Sequence, residues 1–212
     1  ISVGLDQFFA ALSETSATPN SIALRQQVLA EAGNLAQRFN GLSSNMNAQV
    51  LALQEQRTTM AAEINGLTDN IAKLNKKIVE TEAVKGDTTA LRDYRDSLLK
   101  DLSQYASIRV KETSDGALDV SLANGQPLVS GISAGQLQTT LTMSGEQDVS
   151  LSFLGTSFPL KQDSFGGAFG GLYAVEYGEL RPAMAALRLS GCWCGCCSAC
   201  SQTTPASTTN WA

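Results

Sequence analysis

The chain has 212 residues, with 15 Lys and Arg against 20 Asp and Glu, so its formal net charge is −5 at pH 7. This acidic balance excludes a typical nucleic-acid-binding surface, and the absence of histidine excludes Ser-His-Asp catalysis and every histidine-ligated metal site. No run of 18 apolar residues is present, so we expect no membrane insertion. The first residue is Ile1 and no basic segment precedes an apolar stretch, so we expect a cut N-terminus without a signal peptide.

Residues 5–17 are predicted to form a short amphipathic helix. Their large apolar side chains recur at helical spacing, at Leu5, Phe8, Phe9 and Leu12. Pro19 cannot lie inside a helix, so the chain breaks there. Asn20 or Ser21 then offers a side-chain oxygen that can cap the next helix.

That next helix, predicted over residues 21–84, is the dominant feature of the sequence. It contains no proline, and its apolar residues form a stripe with steps of three, four or seven residues. We interpret the stripe as a helix-packing seam made of Leu35, Phe39, Leu42, Met46, Val50, Leu53, Met60, Ile64, Leu67, Ile71, Leu74 and Ile78. Two successive four-residue steps between Leu42 and Val50 predict a local change of supercoil. A stripe this long requires partner helices beside it.

Polar residues interrupt this helix in two ways. Arg57 stands where the stripe calls for an apolar residue, and it is either a device that fixes the register or, as we favour, a side chain that snorkels to the edge of the seam. Asparagines are also frequent, at Asn40, Asn45, Asn47, Asn65, Asn70 and Asn75. They indicate either polar contacts between helices in a polymer or ordinary surface composition.

A second helix is predicted over residues 88–106, turning back to pack against the first. We interpret its charged residues Arg92, Asp93, Arg95 and Asp96 as a solvated face with salt bridges.

The apolar period then changes to two residues. The dipeptides Asp115-Gly116 and Asn124-Gly125 lie between alternating runs, which is typical of β-hairpins. Residues 137–143 and 148–154 are also predicted as short strands. The glycine-rich stretch 166–171 is predicted as a hinge or turn, and a last helical pattern, 172–189, is interrupted by Pro182.

These elements predict an α+β fold that is mainly α. Long antiparallel helices with coiled-coil-like packing are accompanied by a small β-hairpin or β-meander region. We divide the chain into four parts: a long-helix part (1–106), a short-strand region (107–165), a glycine hinge with a returning helix (166–189) and a cysteine-rich tail (190–212), which we expect to be disordered.

All five cysteines lie in the tail, at Cys192, Cys194, Cys196, Cys197 and Cys200. Thiolates at this spacing are candidate ligands for Zn(II) or Cu(I), but the sequence around them offers no packing shell.

We favour a different hypothesis for the cysteine-rich tail. Every Cys codon, read one nucleotide earlier, encodes Leu, Met or Val, so a frameshift near residues 187–191 explains the tail. An intact reading frame in independent clones would exclude that hypothesis.

The sequence resembles the flagellar hook-associated protein 1 family, which joins the bacterial hook to the filament. The resemblance covers roughly residues 3–189 in order and rests on blocks at residues 5–12, 23–29, 35–40, 71–78, 91–99, 102–105, 125–131 and 166–172. After the last block the family usually has an arginine, whereas this chain has Glu176-Tyr177-Gly178. The terminal helical segments that pair to form the family's inner tube have no counterpart here. The resemblance therefore implies the first half of the outer helical domain.

This resemblance implies a structural protein that self-assembles and catalyses no reaction. The implied partners are copies of itself, the hook protein, the adjacent hook-associated protein and an export chaperone; no cofactor and no nucleic acid are implied. The implied location is secreted, at the hook–filament junction. Without the terminal segments, we expect the chain alone to be mostly monomeric. The alternative is a secreted coiled-coil adaptor or effector unrelated to flagella, which would share the long helix but not the later blocks.

Overall fold

The structure is a computed structural model, and it describes residues 2–192. Its α-helices are α1 (Ser2–Ala17), α2 (Ile22–Ala83), α3 (Thr89–Tyr105), α4 (Gly167–Val175) and α5 (Arg181–Cys192). Its strands are β1 (Ile108–Glu112), β2 (Leu118–Leu122), β3 (Pro127–Ser130), β4 (Ser133–Ala134), β5 (Gln136–Leu141), β6 (Gln147–Phe153) and β7 (Thr156–Leu160). The mainly helical α+β fold predicted from the sequence is confirmed.

The long helix α2 is a single unbroken element of 62 residues, as predicted. At its start, the backbone N–H of Leu24 donates to Ser21 Oγ at 3.4 Å, so Ser21 is the cap. At its end, Lys85 adopts the left-handed conformation (φ 57°). There Gly86 N donates to Thr81 O and Lys85 N donates to Glu82 O, both at 2.9 Å, which is the hydrogen-bond pattern of a Schellman motif.

The chain forms two compact units. Within the described residues, the first unit consists of residues 2–49 and 180–192, and the second consists of Val50–Glu179. The boundaries that we placed at residues 106, 165 and 189 follow changes in secondary-structure type and stay predictions.

In the first unit, small residues of α1 face the start of α2. Gly4 is buried, and a Cβ atom at that position would lie 3.3 Å from side-chain atoms of Leu35 and Arg38. The Thr15 hydroxyl lies 3.2 Å from the carbonyl oxygen of Leu24 and donates to it. The order of these contacts makes α1 antiparallel to the first part of α2.

The second unit contains two antiparallel sheets, with strand orders β1-β2-β3-β4 and β5-β6-β7. The predicted hairpin turns are confirmed: Gly116 (φ 80°) lies between β1 and β2, and Gly125 (φ 90°) lies between β2 and β3. The strands β4 and β7 lie outside the segments predicted as strands. The strand β7 contains Pro159, which cannot donate a ladder hydrogen bond, and it is tolerated because β7 pairs on one side only, with β6.

One hydrophobic core unites the helices and sheets of the second unit. Its buried members include Ile64, Ile71 and Leu74 of α2, Leu98 and Leu102 of α3, Val120, Leu122, Leu128, Val149 and Leu151 of the strands, and Phe165, Phe169 and Tyr173 around α4. The α2 stripe is therefore covered in this unit by strands as well as by α3. Short β-strands bury an apolar helix face as well as a partner helix does, because apolar burial is non-directional.

The prediction of a hinge or turn over residues 166–171 is wrong. Only Gly166 and Gly167 have positive φ angles (61° and 56°), and α4 begins at Gly167. A Cβ atom at Gly167 would lie 2.7 Å from the carbonyl oxygen of Tyr105, so the glycines permit a close approach to the end of α3. The interruption expected at Pro182 takes the form of a π-helical turn, Glu176–Leu180, directly before α5.

Candidate functional site

A buried ion pair lies within the predicted seam of α2. The side chains of Arg57 and Glu176 are both 0% exposed and hydrogen-bonded to each other. Arg57 Nε also donates to Gln147 Oε1 at 2.8 Å, and its guanidinium carbon lies 4.3 Å from the centre of the Tyr173 ring. We call these four residues the Arg57 cluster. It connects α2 with β6, α4 and the π-helical turn.

Gln147 extends this cluster to the backbone of α2. Its side-chain Nε2 donates to the carbonyl oxygen of Gln54 at 3.0 Å and to Thr58 Oγ1 at 2.9 Å. The first strand residue of β6 is therefore fixed against two successive turns of the helix.

The expectation that Arg57 snorkels to the edge of the seam is wrong. Its partner Glu176 is 119 residues away in the sequence, and no local pattern could have indicated the pair. The sequence offered two separate signals, Arg57 in the apolar stripe and the acidic Glu176 after the last block of the family resemblance, with nothing to join them. A buried charge costs less when it is paired and hydrogen-bonded, and Arg57 has both a carboxylate partner and a hydrogen bond to Gln147.

A second polar cluster is formed by Asn75 and Arg95, both buried. Asn75 Nδ2 donates to the carbonyl oxygens of Leu118 (2.8 Å) and Gly131 (2.7 Å), while its Oδ1 accepts from Leu118 N (3.1 Å) and Arg95 Nη1 (3.0 Å). Arg95 Nη1 also donates to the carbonyl oxygen of Gly116 at 2.9 Å. We call these two side chains the Asn75 cluster. It fixes the β1–β4 sheet to α2 and α3.

Asn65 does the same for the other sheet. Its Nδ2 donates to the carbonyl oxygen of Leu137 at 2.9 Å, and its Oδ1 accepts from Leu137 N at 2.7 Å. The amide thus pairs with a strand residue as a neighbouring strand would. Both interpretations that we gave for the asparagines are wrong for Asn65 and Asn75, which dock the two sheets within one chain.

The predicted solvated charged face of α3 is only partly correct. Arg92 is half-exposed and forms ion pairs of 2.7 Å with Glu82 and with Glu112, linking α3 to the end of α2 and to β1. The hydrogen bond from Arg92 holds the pKa of Glu82 below its ordinary value. Arg95, in contrast, is buried, and this burial lowers the pKa of its guanidinium.

Replacing Asn75 by Ala should lower the free energy of unfolding by about 2–3 kcal/mol, because the buried N–H and carbonyl of Leu118 and the half-buried carbonyl of Gly131 lose their partner. Urea unfolding followed by circular dichroism is the measurement. Asn70→Ala is the matched control, since Asn70 is exposed on the same helix and its replacement should change stability by less than about 0.5 kcal/mol. Equal effects of the two replacements would contradict the role of the Asn75 cluster.

Tyr173 should make the stability of the second unit depend on pH. Burial raises the pKa of Tyr173 from its ordinary 10.0 to about 12. The folded state holds the phenolic proton more tightly, so this stabilisation is complete below pH 10 and is lost between about pH 10 and 12. We expect unfolding experiments to show a fall in stability across that window, and a smaller fall for Tyr173→Phe. Identical pH profiles of the two proteins would refute this assignment.

The structure places the twelve predicted seam residues in both units. Val50, Ile64, Ile71, Leu74 and Ile78 are buried, whereas Leu35, Phe39, Leu42, Met46, Leu53, Met60 and Leu67 are half-buried. The role of these residues as one continuous seam stays a prediction.

Four of the five candidate metal ligands lie outside the described residues. Cys192 ends α5, while Cys194, Cys196, Cys197 and Cys200 lie outside the described residues. Within residues 2–192, no three His, Cys, Asp or Glu side chains come together as metal ligands. In the same part of the chain, no helix has the length and apolar character needed to cross a membrane.

The two clusters act by positioning elements. Arg57 and Glu176 pair with each other, and Arg57 also donates to the side-chain amide of Gln147. Arg95 donates to the side-chain amide of Asn75 and to the carbonyl oxygen of Gly116. Each cluster fastens a sheet to the helices at points far apart in the sequence. Together these contacts hold the helices and sheets of the second unit in one fixed arrangement.

Comparisons with known proteins identify the family. The model of the flagellar hook-associated protein FlgK helical domain matches residues 1–190. Flagellar hook-associated protein 1 of Salmonella typhimurium is 27% identical over 139 residues, which are 65% of this chain and 25% of that protein. The protein of the same name from Bacillus subtilis is 28% identical over 121 residues, which are 57% of this chain and 24% of that protein.

A solved structure agrees with these relatives. The flagellar hook junction protein FlgK from Burkholderia pseudomallei matches with a TM-score of 0.81 and 28% identity, over 88% of this chain and 34% of that one. The chain thus spans about a quarter of the length of the curated relatives and about a third of the solved one. Since the family model covers most of its residues, the chain belongs to the flagellar hook-associated protein FlgK helical domain family.

Proposed function

We propose that this chain is a structural segment of the bacterial flagellum at the junction of hook and filament, and that it catalyses no reaction. The match to the family model over residues 1–190 carries the proposal. The names of the relatives, which describe hook-associated and hook junction proteins, support the location. The chain then works outside the cell, after secretion.

The physical basis of this function is the rigidity of the second unit. The Asn75 cluster and Asn65 each fasten one sheet to α2, and the Arg57 cluster fastens β6 and α4 to the same helix. Paired and hydrogen-bonded buried polar groups favour one arrangement of the core over others, because any shift leaves them unsatisfied. Such a body suits a wall built from repeated subunits.

The proposed partners are those of an axial structure. They are further copies of the same protein, the hook protein on one side and the adjacent hook-associated protein on the other, with an export chaperone before assembly. A secreted coiled-coil adaptor would need the long helix alone. The matched residues extend through both sheets and α4, which favours the flagellar function over the adaptor.

A chimera tests the proposal. Residues 3–189 of this chain replace the matched segment of a full-length flagellar hook-associated protein 1, in cells that lack their own copy. We expect hooks that carry filaments and cells that swim. A matched chimera with Ile71→Asp, which disrupts the core, should leave hooks without filaments. If the first chimera is secreted and folded but the hooks remain bare, the proposed function is wrong.

A further inference from the structure

A groove lies between α2 and α3 on the outside of the second unit. It has a volume of about 350 Å³ and is lined by Glu63, Gly66, Leu67, Asp101, Gln104 and Tyr105. Glu63 and Asp101 are both exposed. The Tyr105 hydroxyl is hydrogen-bonded to Glu63, while Asp101 makes no ion pair with any described residue. We call this surface the acidic groove.

Gly66 lies at this groove and, like Gly33 and Gly41 on the same helix, has open space at its Cβ position. A glycine inside a helix costs about 1 kcal/mol relative to alanine. A Cβ atom at Gly66 would meet nothing within 4 Å, so neither packing nor backbone conformation requires a glycine there. Its missing side chain instead leaves room for the backbone of a neighbouring helix to come close.

The complementary surface lies on the same helix. Lys73, Lys76 and Lys77 are exposed on α2, about 15 Å along the helix from the acidic groove. Lys76 lies 3.9 Å from Glu80, in an exposed pair of little strength. Lys73 and Lys77 make no ion pair with the rest of the described chain. We call these three residues the lysine stripe.

We propose that the acidic groove of one copy receives the lysine stripe of a second copy of this chain. Lys73 and Lys77 of one copy then pair with Glu63 and Asp101 of the other, and Gly66 allows the helices to approach. Every copy carries one groove and one stripe, so this single kind of contact can join a series of copies. The inference rests on the proposed function, because it names the surfaces through which copies meet.

Two charge-reversal variants of the whole 212-residue chain test the contact. The groove variant carries Glu63→Lys and Asp101→Lys, and the stripe variant carries Lys73→Glu and Lys77→Glu. In either variant alone the two surfaces have the same sign and repel. In an equimolar mixture, the lysines of the reversed groove meet the glutamates of the reversed stripe. The original acidic groove, on the stripe variant, meets the original lysines on the groove variant.

Sedimentation equilibrium at high protein concentration, with reductant and low salt, gives the association constants. We expect weak association of the wild type, less for each variant alone, and about tenfold more for the mixture than for either variant. High salt should abolish the difference. A mixture that associates no better than its components would overturn the proposal.

Net charge provides a sharp control. The groove variant changes the net charge of the chain from −5 to −1. Because copies with a smaller net charge repel each other less, net charge alone would make this variant associate more than the wild type. Our proposal requires it to associate less. Asp93→Lys with Asp148→Lys reaches the same net charge at exposed positions outside both surfaces and should not weaken association. Weakening by this control equal to that by the groove variant would contradict the proposed surface.

The association measurements and the chimera test the contact and the proposed function separately. Restored association in the mixture together with a chimera that builds no filaments would uphold the contact and refute the proposed function. Filaments from the chimera without restored association would refute the contact alone.

Discussion

Glu176→Ala is expected to destabilise the second unit by about 3–5 kcal/mol, because it leaves the guanidinium of Arg57 buried without its counter-ion. Both side chains are 0% exposed, so water cannot replace the lost partner without opening the core. Unfolding in urea, followed by the near-ultraviolet signal of the buried Tyr173, is the measurement. Both tryptophans, Trp193 and Trp211, lie outside the described residues, so the tyrosine signal is the better reporter.

The double variant Arg57→Met with Glu176→Leu is the control for this prediction. It removes both charges and fills a similar volume with apolar atoms, and replacement of buried ion pairs in this way is often neutral or stabilising. We therefore expect the double variant to recover most of the stability lost in Glu176→Ala. A double variant that is as unstable as the single one would show that the ion pair itself is needed, beyond the cost of an unpaired charge.

Ile71→Asp is expected to lower the free energy of unfolding by about 4 kcal/mol or more, because it places a carboxylate among apolar groups that cannot hydrate it. Ile71 is 0% exposed and lies in the core with residues of α3 and the strands. Thermal unfolding compared with that of the wild type is the measurement.

Leu51→Asp is the matched control on the same helix. Leu51 is 63% exposed, so its replacement should change stability by less than about 0.5 kcal/mol. Unaltered melting of Ile71→Asp would mean that this face of α2 is solvated and that its register is wrong.

Periodicity alone located most of the regular elements. The apolar stripe without proline predicted α2 to within one residue at each end, and the Asp115-Gly116 and Asn124-Gly125 turns located the first hairpins. Such signals are local, because a helix or a hairpin is specified by residues close together in the sequence. The glycine stretch at 166–171 misled the prediction, since only two of its glycines serve a close approach and the rest are helical.

The sequence by itself determined the helices, the hairpins, the mainly α fold class and the resemblance to a family. Only the tertiary structure decided what the polar residues in α2 do. Arg57 meets a glutamate 119 residues away, and Asn75 binds backbone groups of Leu118, which every residue type except proline would offer equally. Contacts between residues so far apart produce no periodicity in the sequence. A contact with a backbone group does not depend on the residue type that carries it, so these contacts are defined only in the folded chain.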